Sequence, residues 1–205
     1  MRILTFFFLF AILPAFAQDK SKGILDDLSK KIKSYKTFYV DFKASIKNND
    51  TGVNENVTGK GWVSGNKFHT IYGDNTVISN GVKVWVVSKE DKAVYISSVE
   101  DDDDESINPK KLMSIWESGF NSKFVSEDAG VYTIHLFPKE PGKSEYHTII
   151  LKVTTTKDLK SVEVKMKDGT KMIYELLKFD GNVEIPATKF VYDKRNFPGY
   201  QEVEN

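Results

Sequence analysis

From residue 37 to residue 179 the chain reads as a ladder of hairpins. In TFYVDFKASI, Phe38, Val40, Phe42, Ala44 and Ile46 alternate with Tyr39, Asp41, Lys43 and Ser45, and a period of two puts the first set on one face of a β-strand. GKGWV runs into Ser64-Gly65-Asn66, KFHTIY into Gly73-Asp74-Asn75, and TVIS and VKVWVVS meet at Asn80-Gly81 before KAVYISSV. Beyond residue 120 come SKFVSE, VYTIHLFP, YHTIILKVTT, KSVEVKMK and TKMIYELLKF, the last two joined by Asp168-Gly169. Asn-Gly and Asp-Gly tolerate the positive φ that tight hairpins demand. Consecutive hairpins imply an antiparallel meander, because parallel strands need long crossover connections. The fold class expected is mainly β with some α. It is a single, highly curved antiparallel sheet forming an unclosed β-barrel, with Gly59, Gly61 and Gly65 where bends are needed.

Two segments break the period of two. Residues 21–35 place Ile24, Leu25, Leu28, Ile32 and Tyr35 at helical spacing, one amphipathic helix. Residues 108–119 begin with Asn108, a good N-cap, and Pro109, whose missing N–H is no loss at the first helical position. Leu112, Ile115, Trp116 and Gly119 follow at three- and four-residue spacing, with Gly119 suited to the position just past the helix. So short a helix is marginal alone and needs an apolar surface to lie on. The end, TKFVYDKRNFPGYQEVEN, reads as a short strand and a Pro-Gly loop.

The first twenty residues are of another kind. Arg2 precedes an apolar run from Ile3 to Leu13, and Ala15-Phe16-Ala17 fits a small-x-small cleavage site. Residues 1–17 read as a secretory signal peptide, with an uncleaved anchor as the competing reading. Residues 18–205 then form a single domain. Basic and acidic residues number 29 each. Such balance argues against a nucleic-acid partner. The chain has no Cys, which excludes disulfides, thiolate metal sites and a Cys nucleophile. An exported, Cys-free chain suits a bacterial periplasm.

No constellation for covalent chemistry emerges, so the chain is expected not to be an enzyme. Asp50-Thr51-Gly52 spells an aspartic-protease triplet, but it follows Lys47-Asn48-Asn49 rather than an apolar strand and has no second copy. It reads as a turn. Asn56-Val57-Thr58 fits a glycosylation acceptor, which three-residue chance also supplies. His69, His135 and His147 show no ligand-pair spacing. The acids of residues 100–105, EDDDDE, contain no Gly for a calcium loop. They read as a solvated loop ahead of the positive end of a helix, or as a charged rim that meets a basic partner. No metal or cofactor is expected.

The order of the motifs resembles the periplasmic outer-membrane lipoprotein carrier family, LolA. The family's F-x-x-x-F is met by Phe38 and Phe42, its G-x-G-x-W-V by residues 59–63, its N-x-F by residues 66–68, and its S-D-G-K-x-x-W by the stretch from Ser79 to Trp85. Later, HLFPKE, MKDGTKMIYEL and FVYDKRNFPGYQEV resemble its remaining segments. The resemblance implies helices lying as a lid over an apolar cavity that shelters lipoprotein acyl chains between the inner and outer membranes. Phe68 matches an aromatic of the family's cavity, and Phe42, Trp62 and Trp85 are matched positions on neighbouring strands. Ile32, Leu112, Ile115 and Trp116 match the lid's apolar faces. The implied partners are acylated lipoprotein cargo, an inner-membrane ABC-type releasing complex and an outer-membrane acceptor, with the carrier a monomer. The same motifs would serve a carrier or sensor of another periplasmic lipid. The Arg that many members carry after the W-V, holding the lid closed, is absent. Ser64, Gly65, Asn66 and Lys67 stand there, with His69 after the Phe.

Overall fold

A computed structural model describes residues 15–99 and 113–204, with side chains from Lys20 onward. The acids of residues 100–105 and the first part of the expected second helix, residues 108–112 with Leu112 included, lie outside the described residues. The elements are α1 (Ala15–Lys33), β1 (Thr37–Asn48), β2 (Val53–Ser64), β3 (Lys67–Tyr72), β4 (Asn75–Ser79), β5 (Lys83–Ser88) and β6 (Ala93–Ser98). After the gap come β7 (Phe120–Asp128), β8 (Val131–Pro138), β9 (Tyr146–Thr154), β10 (Leu159–Met166), β11 (Lys171–Gly181) and β12 (Gln201–Glu204). Two single 3-10 turns, Ala187–Phe190 and Lys194–Asn196, precede β12.

All twelve strands form one sheet in the order β12-β6-β5-β4-β3-β2-β1-β11-β10-β9-β8-β7. Strand β1 is the seam, pairing antiparallel with both β2 and β11. The two edge strands, β7 and β12, do not pair with each other, so the barrel is unclosed. A bulge between Asp41 and Phe42 leaves Leu177 as the extra residue of β11 and 63% exposed. Bulges sharpen local twist, and this one sits at the middle of the curve.

The turns follow their sequences. Gly52, Gly81 and Gly169 have φ of 77°, 90° and 85°. Asn48 Oδ1 accepts from the Asp50 and Thr51 amides, so the protease-like triplet is a hairpin turn. The Asn80-Gly81 connection is longer than two residues. Asn80 Oδ1 accepts from the Val82 and Lys83 amides, and the ladder resumes at Val84. Gly59 is needed for a different reason. A Cβ there would lie 2.3 Å from the Phe42 ring, which rests across the bare backbone of β2.

Two expectations need correction. Residues 113–116 form a turn, closed by the Glu117 amide on the Ser114 carbonyl, 3.0 Å, rather than continuing a helix to residue 119. The C-terminal tail forms its strand after the Pro-Gly rather than at TKFVY. Strand β12 pairs parallel with β6, while Ala187–Phe190 is a 3-10 turn. That turn buries Phe190 against the outside of the sheet, a tertiary preference that local propensity does not carry.

Candidate lipid-binding face

The strand register sorts the aromatic residues onto two faces. Cross-strand partners share a face. Phe38 pairs with Val63, Val63 with Phe68, and Phe68 with Ser79. This row is the concave face. It continues around the sheet through Val40, Phe179, Tyr174, Val162, Leu151 and Ile134, and these residues join one apolar cluster. Phe42 and Phe68 both belong to it, 4% and 3% exposed.

Trp62 and Trp85 do not. Trp62 pairs with Tyr39 on one side and His69 on the other, His69 pairs with Ile78, and Ile78 with Trp85. All of these lie on the convex face. The matched positions therefore split into Phe42 and Phe68 inside, Trp62 and Trp85 outside. A one-residue step along a strand reverses the face, and Trp62 sits one step from Val63.

Helix α1 covers part of the concave face. Its Ile24, Leu25 and Leu28 are buried in the apolar cluster, Leu28 only 1% exposed, and Ile32 packs at its margin. Lys30, Lys31 and Lys33 in the last turn complement the negative end of the helix dipole. The turn at residues 113–116 completes the cover. Met113 and Trp116 are buried and Ile115 packs against the cluster. The Trp116 indole donates to Ser29 Oγ at 2.8 Å. Met113 was not singled out by the sequence pattern, and Ile115 and Trp116 reach the cluster from a turn rather than a helix.

Polar contacts hold this cover down. Lys31 Nζ lies 2.6 Å from Asp158 and donates to the Thr156 carbonyl. Lys157 pairs with Asp27 at 3.2 Å, and Lys33 with Glu117 at 2.7 Å. Ser21 Oγ meets Ser122 Oγ at 2.9 Å on edge strand β7. Burial pushes the Asp158 carboxyl up, but hydrogen bonds from Lys31 and Thr156 outweigh it and hold the group below the usual carboxylate value. Between the end of α1, Phe38, Val63 and Met113 lies an apolar cavity of about 230 Å³. That is smaller than the roughly 300–1,000 Å³ of ordinary ligand pockets, so an acyl chain would fill it only with the cover displaced. A more polar cleft of about 480 Å³ lies between α1, Trp116 and Phe120.

The β2–β6 half of the convex face is covered by the chain itself. Residues 187–200 cross it as a strap, and residues 201–204 then join the sheet beside β6. Trp85 stacks on Tyr192 at 5.7 Å, and Tyr192 on Phe197 at 5.7 Å. Lys189 Nζ sits 3.6 Å from the centre of the Trp62 ring, and His69 Nδ1 meets the Lys189 carbonyl at 2.7 Å. Burial lowers the His69 pKa, opposed by the hydrogen bond to that carbonyl. The Tyr192 hydroxyl is pushed up to about 12, by burial first and then by its bond to Glu202. His135 and His147 are likewise apart from any cluster of ligands. Among the described residues, no group of three or more His, Cys, Asp or Glu side chains could hold a metal ion. Nor is any described helix long and apolar enough to cross a membrane.

Comparison with known proteins bears on the whole chain. The family model described as outer membrane lipoprotein carrier protein LolA matches residues 33–193. No curated protein matches the sequence. Among solved structures, an uncharacterized conserved protein from Thermus thermophilus is similar in fold, with a TM-score of 0.55 and 10% identity. The match covers 91% of this chain and 99% of that one. A LolA superfamily protein from Nitrosomonas europaea aligns with a TM-score of 0.44 and 10% identity, over 84% of this chain and 97% of that one.

Proposed function

The chain belongs to the outer membrane lipoprotein carrier protein LolA family, and from that premise we propose that it shelters lipoprotein acyl chains on its concave face and carries them across the periplasm. The observation that supports this is the continuous apolar wall under a separate cover, α1 and residues 113–117, that rests on it by apolar side chains and partly exposed ion pairs. Burying an acyl chain is worth roughly 0.8 kcal/mol per CH₂. A few chains therefore offset both the exposed ion pairs, each worth about 0.2–1 kcal/mol, and the cover's own buried apolar side chains such as Leu28 and Trp116, each worth roughly 1.5–3 kcal/mol. Cargo would lift α1 and residues 113–117 from the wall and take their place against Phe42 and Phe68. Release to an outer-membrane acceptor then needs only a partner that offers the chains a comparable apolar surface. The carrier performs no covalent step. The leader read at residues 1–17 would deliver it to the periplasm, and an inner-membrane ABC-type complex would load it.

The test is binding of a triacylated lipopeptide, followed by displacement of a hydrophobic dye. Wild type should bind one equivalent, and Phe68→Glu should lose at least tenfold in affinity while retaining its far-UV spectrum. A folded wild type that takes up neither lipopeptide nor dye would sink the proposal. If lipids that copurify from the native host are glycolipids or lipid-linked precursors, the cargo is a different periplasmic lipid and the carrier reading survives in its coarser form.

A further inference from the structure

The concave wall carries a few polar side chains, and among the described residues one buried group there has nothing to bond. Thr70 is fully buried, and its Oγ1 has no hydrogen-bond partner among the described residues. The register puts it between Gly61 and Val77, one pleat from Phe68 on the same face. The other buried polar side chains among the described residues are all partnered. Ser21 meets Ser122, Asn48 donates to Thr170, Ser79 accepts from the Gly81 amide, Ser88 donates to Asp91 and Thr148 meets His147. A buried hydroxyl left unpaired destabilises the fold, whereas Val fills the same shape without that penalty. The wall thus holds a desolvated O–H where an apolar side chain would fold better.

A ligand can supply the missing partner. Acyl-chain lipids are hydrocarbon except at the linkage, where an ester or amide carbonyl accepts hydrogen bonds. A single hydroxyl in a dry wall is matched to such a group, whereas a phosphate or ammonium would demand several partners and a compensating charge. Resting on the carrier reading above, we propose that Thr70 donates its hydroxyl to the carbonyl of an ester or amide linkage. The concave face then selects carbonyl-linked acyl chains over ether-linked or bare hydrocarbon.

The experiment uses two probes below their micellar concentrations, a short-chain diacyl glycerophospholipid and its dialkyl ether counterpart with the same headgroup. Wild type should prefer the ester by about fivefold, the size of one net neutral hydrogen bond. Thr70→Val should abolish the preference by weakening ester binding alone, while raising the melting temperature of the lipid-free protein. Thr70→Ser keeps the donor and should restore the preference. Equal binding of the two probes by wild type, or equal losses for both in Thr70→Val, overturns the assignment and leaves the carrier reading standing. Binding of neither probe overturns the assignment, and the lipopeptide and dye titration then decides the carrier reading separately.

Discussion

The two faces of the β1–β6 half of the sheet both carry large apolar side chains and behave as opposites. Inside, Phe42, Phe68, Val63 and Val84 present a smooth apolar wall under a helix and a turn. Outside, Trp62, Ile78, Trp85 and Val94 present a second apolar surface, interrupted by His69 and edged by Lys60 and Lys83, beneath residues 187–200. The inner cover is held by side chains alone, through burial of Ile24, Leu25, Leu28, Met113 and Trp116 and through polar contacts such as Lys31 with Asp158 and Trp116 with Ser29. The outer strap is stitched in by backbone pairing of β12 with β6, stacked rings and the His69 contact to the Lys189 carbonyl. Abundance of aromatics therefore does not mark the binding face. The strength and kind of bonding to whatever lies over each face does.

Substitutions under each cover can break or sharpen that contrast. The largest effect is expected at Leu28, which α1 buries almost completely in the inner cluster. Leu28→Ala should cost about 2–5 kcal/mol in denaturant unfolding, and it should raise dye uptake in the remaining folded protein. Trp85→Ala removes the first ring of the strap's stack and should cost roughly 2–3 kcal/mol, less than full burial would give because Trp85 is only partly covered. Acyl-chain affinity should stay within twofold of wild type. A large loss would mean that the faces are coupled and the contrast false. Trp62→Phe should be similarly silent in binding, and a strong binding defect there would return Trp62 to the cavity.

Smaller effects are carried by charge. Because burial depresses the His69 pKa in the fold, the unfolded chain takes up a proton first as pH falls below about 6.5. Stability should accordingly decline between neutral pH and the lowered folded value. His69→Gln should flatten that slope in urea titrations at pH 7 and pH 5. The smallest change is expected for Lys31→Ala, about 0.2–1 kcal/mol for an ion pair this exposed. Its readout is kinetic: faster dye entry, with wild type approaching the variant's rate at high salt. The Asp158 partner stays ionised until well into the acid range, its pKa being depressed, so this tie should persist at pH 5.

The meander, its hairpins and the amphipathic α1 were legible because each rests on local chemistry: period-two alternation, Asn-Gly and Asp-Gly turns, and Leu28 at helical spacing. The face of each tryptophan was not. In GKGWV and VKVWVV, Lys60 and Lys83 share the tryptophans' face by alternation, but the glycines of β2 and the apolar run from Val84 to Val87 blur that signal, because the strap covers part of the convex face. Alternation can rank two faces only when one of them is polar. Residues 113–116 defeated the helix reading for a related reason: Leu112, Ile115 and Trp116 at helical spacing describe an apolar stripe, but a turn anchored by Met113 and Trp116 buries side chains equally well. Thr70 left no trace at all, since a threonine in a strand is ordinary until its hydroxyl is found without a partner.

The unjoined edges β7 and β12 carry a consequence of their own. A closed barrel has its interior set by strand number and stagger, and it can widen only by rupturing its ladder. A sheet with two free edges flexes instead, changing curvature through small adjustments of twist spread over every strand while each hydrogen bond survives. Its capacity is then elastic rather than fixed. The same container would close down on itself when empty and unroll in proportion to its load, so that slender and bulky passengers could share one carrier.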